Sequence, residues 1–81
     1  MVVITVTVEL DNFLVSLAGK KVGRQSVLQF PEPVTIRDLL VSIGLPRDTV
    51  SFAAVNGERK GLDCFLQNND RVALFPYIIG G

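Results

Sequence analysis

Residues 2–10 read Val-Val-Ile-Thr-Val-Thr-Val-Glu-Leu, and no other stretch of the chain restricts the fold so tightly. Val2, Ile4, Val6, Val8 and Leu10 fall on one face of an extended segment, with Val3, Thr5, Thr7 and Glu9 on the other. Strict period-two alternation rich in β-branched residues specifies a half-buried strand whose apolar face must be covered. The cover is readable further along. Thr35 offers a hydroxyl to first-turn amides, and Asp38 sits at the third helical position, near the positive end of a helix. Ile36, Leu39, Leu40 and Ile43 then form one helical stripe, Gly44 suits the residue after the cap, and Pro46 prevents continuation.

The remaining segments fill out a sheet. Asp11-Asn12 caps a short helical turn carrying Phe13, Leu14 and Leu17 and ending at Gly19, with an exposed loop over residues 20–24. Ser26 to Phe30 reads as a second strand, closed by Pro31 and Pro33. Phe52 to Val55 is a third, followed by the tight-turn dipeptide Asn56-Gly57. Residues 61–69 are mostly irregular, with Leu62, Phe65 and Leu66 placed to plug the core. Asn68-Asn69-Asp70 turns into a last strand, Arg71 to Phe75. A strand pair, a crossing helix and further strands, with a short element between the last two, make an α+β layout with one helix-on-sheet core. The expected sheet is mixed, with four to five strands on one main helix. The expected division is a domain over residues 1–75 and a flexible tail over 76–81.

With 81 residues the chain is one small domain, and 48% hydrophobic content supplies its core. Eight basic and eight acidic residues cancel, so composition favours neither nucleic acid nor an anionic membrane. No apolar run approaches the roughly 20 residues that span a bilayer, and no signal peptide is visible. The lone Cys64 fits a reducing compartment, and the expected location is cytoplasmic. Without histidine there is no Ser-His or Cys-His nucleophile pair, and a zinc site of one cysteine and carboxylates is a poor one. No metal and no bound cofactor are expected. The chain reads as a non-enzyme, with Cys64 a small core residue and Arg59, Lys60 and Arg71 solvated charges.

Several of these segments carry a family likeness. Val55-Asn56-Gly57-Glu58, the run Leu66-Gln67-Asn68-Asn69-Asp70-Arg71-Val72, Phe75-Pro76 and Gly80-Gly81 resemble the carboxyl-terminal half of the MoaD/ThiS sulfur carriers, which are ubiquitin-like β-grasp proteins. Thr35-Ile36-Arg37-Asp38-Leu39-Leu40 resembles that family's helix start. Two positions depart from the pattern. Asn69 stands where members often carry Gly, although Asn also tolerates positive φ, and Pro76-Tyr77 stands where a Pro-Pro pair is common.

The resemblance implies a carrier whose reacting group is the terminal carboxylate of Gly81. An E1-like adenylating enzyme would activate it with ATP, AMP would be displaced to leave a thiocarboxylate, and a synthase large subunit would accept the sulfur. A MoaD-like role in molybdenum cofactor biosynthesis is favoured over a ThiS-like role in thiamin biosynthesis. Ile79 and Gly80 belong to the reactive tail, where glycine leaves clearance for a narrow channel. Extended, residues 76–81 reach at most about 20 Å. Strand parity adds a docking surface. If Val72 and Leu74 face the helix, Ala73 and Phe75 face away, with Ala54 beside them and Pro76 and Tyr77 next in the chain. Phe75 could instead be covered by Tyr77 or Ile78. The alternatives are a ubiquitin-like protein modifier, and a non-reactive ubiquitin-like binding module.

Overall fold

In the computed structural model, which describes residues 2–19, 22–46 and 48–77, the alternating segment forms strand β1 (Val3–Glu9). Ile4, Val6 and Val8 are buried and the intervening residues are not, as the period-two pattern requires. Val2 departs from the expectation. It lies one residue before the strand and remains exposed, at the end of the sheet beside Pro33 and Phe65.

Asp11 caps helix α1 (Asn12–Leu17), its carboxylate accepting the Leu14 N–H at 2.8 Å. Leu14 is fully buried and Phe13 is half exposed, so this short helix covers one end of the sheet rather than its centre. The second strand is β2 (Gln25–Pro31), antiparallel to β1, with Ile4 opposite Phe30 and Val6 opposite Leu28.

Helix α2 (Ile36–Ser42) carries both capping bonds. The Asp38 N–H donates to Thr35 Oγ1 at 3.1 Å and the Thr35 N–H donates to Asp38 Oδ2 at 3.0 Å. The other two first-turn amides are taken by the irregular segment downstream. Ile36 N–H donates to the Cys64 carbonyl and Arg37 N–H to the Leu62 carbonyl. Segment 61–70 therefore works as a backbone clamp on the helix start. Within it, Leu66 enters the core while Phe65 is 63% exposed, which corrects the expectation that Phe65 plugs the interior. The cause is local. Phe65 bridges to Thr35 in extended conformation, and consecutive residues of an extended chain point to opposite sides. Cys64 is partly buried against the core, as expected.

Helix α2 ends in a Schellman arrangement. Gly44 N–H donates to the Val41 carbonyl and Leu45 N–H to the Leu40 carbonyl, both at 3.1 Å, with Gly44 at φ +76°. Its carbonyl then accepts Gly19 N–H at 2.9 Å, joining the end of α2 to the segment after α1.

Strand β3 (Val50–Val55) and strand β4 (Glu58–Lys60) form a hairpin whose two-residue turn has positive φ at both Asn56 (54°) and Gly57 (87°), the geometry that suits Asn-Gly. Strand β5 (Arg71–Pro76) lies between β1 and β3, parallel to the first and antiparallel to the second. The order across the sheet is β2-β1-β5-β3-β4, mixed and five-stranded. Asn69, at φ 69°, makes the turn into β5 in the manner expected of Asn at this position. One face of the sheet carries Ile4, Val6, Val8, Val72, Leu74 and Ala53, and it buries Ile36, Leu39 and Ile43 of α2. Among the described residues no helix is long and apolar enough to cross a membrane.

The two glycine turns separate conformational strain from steric clash. A Cβ on Gly44 would lie 2.8 Å from Gly19 Cα, whereas one on Gly57 would meet nothing within 4 Å. Gly57→Ala should lose about 1–2 kcal/mol of unfolding free energy from the left-handed backbone alone. Gly44→Ala should lose more, because backbone must also move. Urea titration of the two variants checks the order, and equal losses would show that Gly19 yields freely.

Candidate functional site: an aromatic face on the outer side of the sheet

The sheet face away from α2 owes its composition to strand parity and to one irregularity. Val50 pairs with Pro76, but Phe52 pairs with Phe75, so β3 carries an extra residue at Ser51. Without that bulge Val50, Phe52 and Ala54 would share a side. With it, Val50 turns into the core while Phe52 and Ala54 turn outward. Phe52 then stacks on Phe75, ring centroids 4.8 Å apart and planes 16° from parallel. From β4, the Arg59 guanidinium lies 4.2 Å above the Phe52 ring. Exposed stacking of this kind is worth about 0.5–1 kcal/mol for the cation.

Phe75 and Ala54, expected on one face, are brought together there, and Ala73 lies opposite Ala54. Phe75 keeps 40% of its surface exposed. Its cover among the described residues is Phe52, not Tyr77. Pro76 lies opposite Val50, on the helix side, and Tyr77 borders a separate groove beside Leu40, Val41 and Leu45 of the α2 end. Ile79, Gly80 and Gly81 lie outside the described residues. Two members of the aromatic face went unread in the sequence, Phe52 and Arg59. The signal for Phe52 was present: two residues before Ala54, it has the same parity in a strand.

Beside the aromatics the face opens into a shallow trough of ≈ 820 Å³ that includes Thr7, Glu9, Asn56 and Arg71. Arg71 Nε stands 3.6 Å from Glu9 Oε1, a mostly solvated pair that links β5 to β1. The floor at this end is fixed by Asp70, which is nearly buried. Its carboxylate accepts Asn56 Nδ2 at 2.9 Å and Gln67 N–H at 2.8 Å, while Asn56 Oδ1 accepts Arg71 N–H at 3.0 Å. Asn56 is thus more than turn punctuation, since it ties the β3–β4 turn to the start of β5. On the far side Asn68 Oδ1 accepts Thr5 N–H at 2.8 Å, and the Asp70 carbonyl accepts Thr7 N–H at 2.9 Å. Among the described residues no cluster of three or more His, Cys, Asp or Glu side chains could hold a metal ion. The face offers apolar contact area from Phe52, Phe75 and Ala54 beside the charged side chains of Arg59, Arg71 and Glu9.

A family model described as Mut7-C ubiquitin matches residues 1–79, so Gly80 and Gly81 fall beyond the matched stretch. Curated proteins give no sequence match. Solved structures share the architecture. A protein described as a molybdopterin converting factor, subunit 1, from Pyrococcus furiosus is 24% identical, with a TM-score of 0.68 over 93% of this chain and 99% of its own. Small archaeal modifier protein 1 of Haloferax volcanii is 21% identical, with a TM-score of 0.70 over 93% of this chain and 99% of its own. The protein of the same name from Methanosarcina acetivorans is 19% identical, with a TM-score of 0.66 over the whole of both chains. At these identities the likeness is one of fold, and that fold is the ubiquitin-like β-grasp.

The Asp70 network generates a stability test. Asp70→Ala removes the carboxylate that accepts from the Gln67 amide and Asn56 Nδ2, two part-buried bonds to a charged group, and should lower unfolding free energy by about 1–3 kcal/mol. Asn56→Ala should cost at least as much, since it also places alanine at a φ of 54°. In a double-mutant cycle read by urea unfolding, the double variant should lose less than the sum of the two single losses, since both substitutions remove the Asn56–Asp70 bond.

Proposed function

Because this chain belongs to the Mut7-C ubiquitin family, we propose that it serves as a ubiquitin-like carrier that docks through the Phe52–Phe75 face and presents the Gly81 carboxylate to a partner's active site. The observation that carries the reading is the path of β5. The strand that displays Phe75 runs on at once into residues 77–81, so one docking event can hold the body and aim the tail. Proteins of this fold described as a converting-factor subunit and as modifiers are in keeping with a carrier or modifier role.

The chemistry follows from the group at Gly81. A free α-carboxylate, of ordinary pKa near 3.5, is an anion at neutral pH and a poor electrophile. An E1-like adenylating enzyme removes that obstacle. The carboxylate attacks the α-phosphorus of ATP and pyrophosphate leaves, so the carbonyl carbon now bears AMP as its leaving group. A sulfur nucleophile displaces AMP to give the thiocarboxylate, and a synthase large subunit of a cofactor pathway takes the sulfur. ATP is the partner's substrate, and this chain contributes the acyl group and the docking face. The favoured acceptor is a molybdopterin-type synthase, in line with the converting-factor relative.

A second reading has its own support. The family match ends at residue 79, before the glycines. In that version the aromatic face binds a partner and residues 80–81 take no part.

The test starts with the protein isolated from its own cells. Intact mass and the carboxyl-terminal peptide should place a free carboxyl group at Gly81. Incubation with ATP, the E1-like enzyme of the same cell and a sulfur donor should then add the mass of one oxygen replaced by sulfur. Deleting Gly81 should abolish that gain and leave the unfolding midpoint unchanged. A deletion that stays fully active, or a chain that continues past Gly81, would overturn the carrier reading. Phe75→Asp should weaken enzyme binding at least about tenfold, the scale of a central interface anchor, without loss of fold. Unchanged affinity would remove the docking face from the mechanism.

A further inference from the structure

The two edges of the sheet are built differently. Strand β4 is three residues long and every one is charged. Strand β2, at the opposite edge, is seven residues long and has no charge: Gln-Ser-Val-Leu-Gln-Phe-Pro. Short charged edges resist strand addition, whereas long uncharged ones invite it.

The direction of the free backbone groups on β2 can be worked out. Leu10 N–H donates to the Arg24 carbonyl at 2.7 Å, and Glu32 N–H donates to the Val2 carbonyl at 2.9 Å. Both bonds continue the β1–β2 register, which pairs Val3 with Pro31 and Glu9 with Gln25. Doubly bonded pairs alternate along an antiparallel ladder, so the groups directed at β1 belong to the even-numbered residues of β2. The N–H and C=O groups of Gln25, Val27 and Gln29, with the C=O of Pro31, therefore face the open edge. No described strand lies beyond it. The Val27 side chain is 65% exposed and Leu28 is only partly covered.

We propose that this edge pairs with the same edge of a second copy of the chain, antiparallel about a twofold axis at Leu28. The flanking charges select the occupant and the register. Arg24 immediately precedes the uncharged run, Glu32 immediately follows it, and both are exposed. In a pairing that sets 28 opposite 28, Arg24 of each copy meets Glu32 of the other, twice per dimer. The same register sets Val27 opposite Gln29, which joins their edge-facing groups in doubly bonded pairs, and Gln25 N–H donates to the Pro31 carbonyl across the axis. It also lays Leu28 against its counterpart at the margin of the apolar face. A pairing centred on Val27 would satisfy the same backbone parity but set Arg24 against Phe30 and Glu32 against Val22. Charge complementarity thus separates two registers that hydrogen bonding alone leaves equal.

Edge pairing of one strand buries little surface, so the dimer is weak and concentration dependent. The test is sedimentation equilibrium of the full chain over a concentration series, with amide exchange at matching concentrations. Dimerisation should appear together with new protection at Val27 and Gln29, while Leu28 and Phe30 amides are protected throughout. Arg24→Glu or Glu32→Arg alone should weaken association at least about tenfold, by converting two attractive cross-strand pairs to repulsive ones. The double variant Arg24→Glu/Glu32→Arg should recover it. Both positions contribute only backbone to the β1 ladder, and circular dichroism should report an unchanged fold. A chain that stays monomeric to about 1 mM, where only interactions weaker than roughly 4 kcal/mol escape detection, overturns the proposal. So does a dimer that ignores the single variants or is not regained by the double one. Protection of the same amides by an added foreign strand peptide, in a chain that does not self-associate, would assign the edge to another protein and overturn the proposal equally.

Discussion

The pairing of β1 with β5 is the constraint on which the rest of the molecule hangs. It joins opposite ends of the chain in parallel, with Val8 beside Val72. Parallel neighbours cannot be linked by a tight turn, so everything between them must travel from one end of the sheet to the other. The chain makes that journey as a hairpin partner, a helix over the apolar face and a second hairpin. Each part of the journey is held by backbone bonds at its ends: the 61–70 clamp on the start of α2, the Gly19–Gly44 contact at its finish, and the Asn69 and Asp70 bonds to β1. Burial follows this plan. Most of the side chains with least exposure lie on β1, β5 and the inner stripe of α2, joined by Leu14 of α1 and Ala53 of β3.

The aromatic face is a product of the same plan. A central strand has neighbours on both sides, and β5 can therefore collect Glu9 from one and Phe52 and Ala54 from the other. The bulge at Ser51 completes it by changing the parity of β3 between a core position and a surface position. Rigidity comes from beneath, where the carboxylate of Asp70 spans the turn on one side and the loop on the other. A patch of small residues with one aromatic stack is thereby mounted on a central strand whose start is tied to its neighbours by side-chain hydrogen bonds. The residues that follow β5 leave from that mounting.

How much of this could be read from residues alone differs by element, for physical reasons. The β1 alternation, the α2 stripe with its Thr35–Asp38 cap, the Asn56-Gly57 turn and the fold they imply were all legible, because each depends on local spacing or backbone chemistry. The outward side of Phe75 was legible from parity within β5, and its neighbourhood with Ala54 comes from the pairing of β3 with β5. Phe65 was misplaced in the core because hydrophobicity is weighed without knowing which side of an extended segment faces inward. Phe52 has the parity of Ala54 in one strand and could have been read, whereas Arg59 was missed because its place over the Phe52 ring depends on strands that meet only in the folded sheet. The bulge at Ser51 is illegible in principle from one sequence, since an extra residue shows only against a partner strand. Asn56 was read as a turn former, and its side-chain amide bonds to Asp70 and Arg71 span 14 and 15 residues of sequence, beyond any local pattern.

The direction of the β1–β5 pair also decides how the molecule would yield to tension. A pull applied at the amino end of β1 and the carboxyl end of β5 draws two parallel neighbours past each other along their length. Every bond between them is then loaded at once, and none can be opened before the rest as in a zipper. The hairpins β1–β2 and β3–β4 lack that protection, because force at their open ends separates pairs in succession. A motor that threads the chain from its carboxyl end would therefore meet its greatest resistance in the first strand it grips.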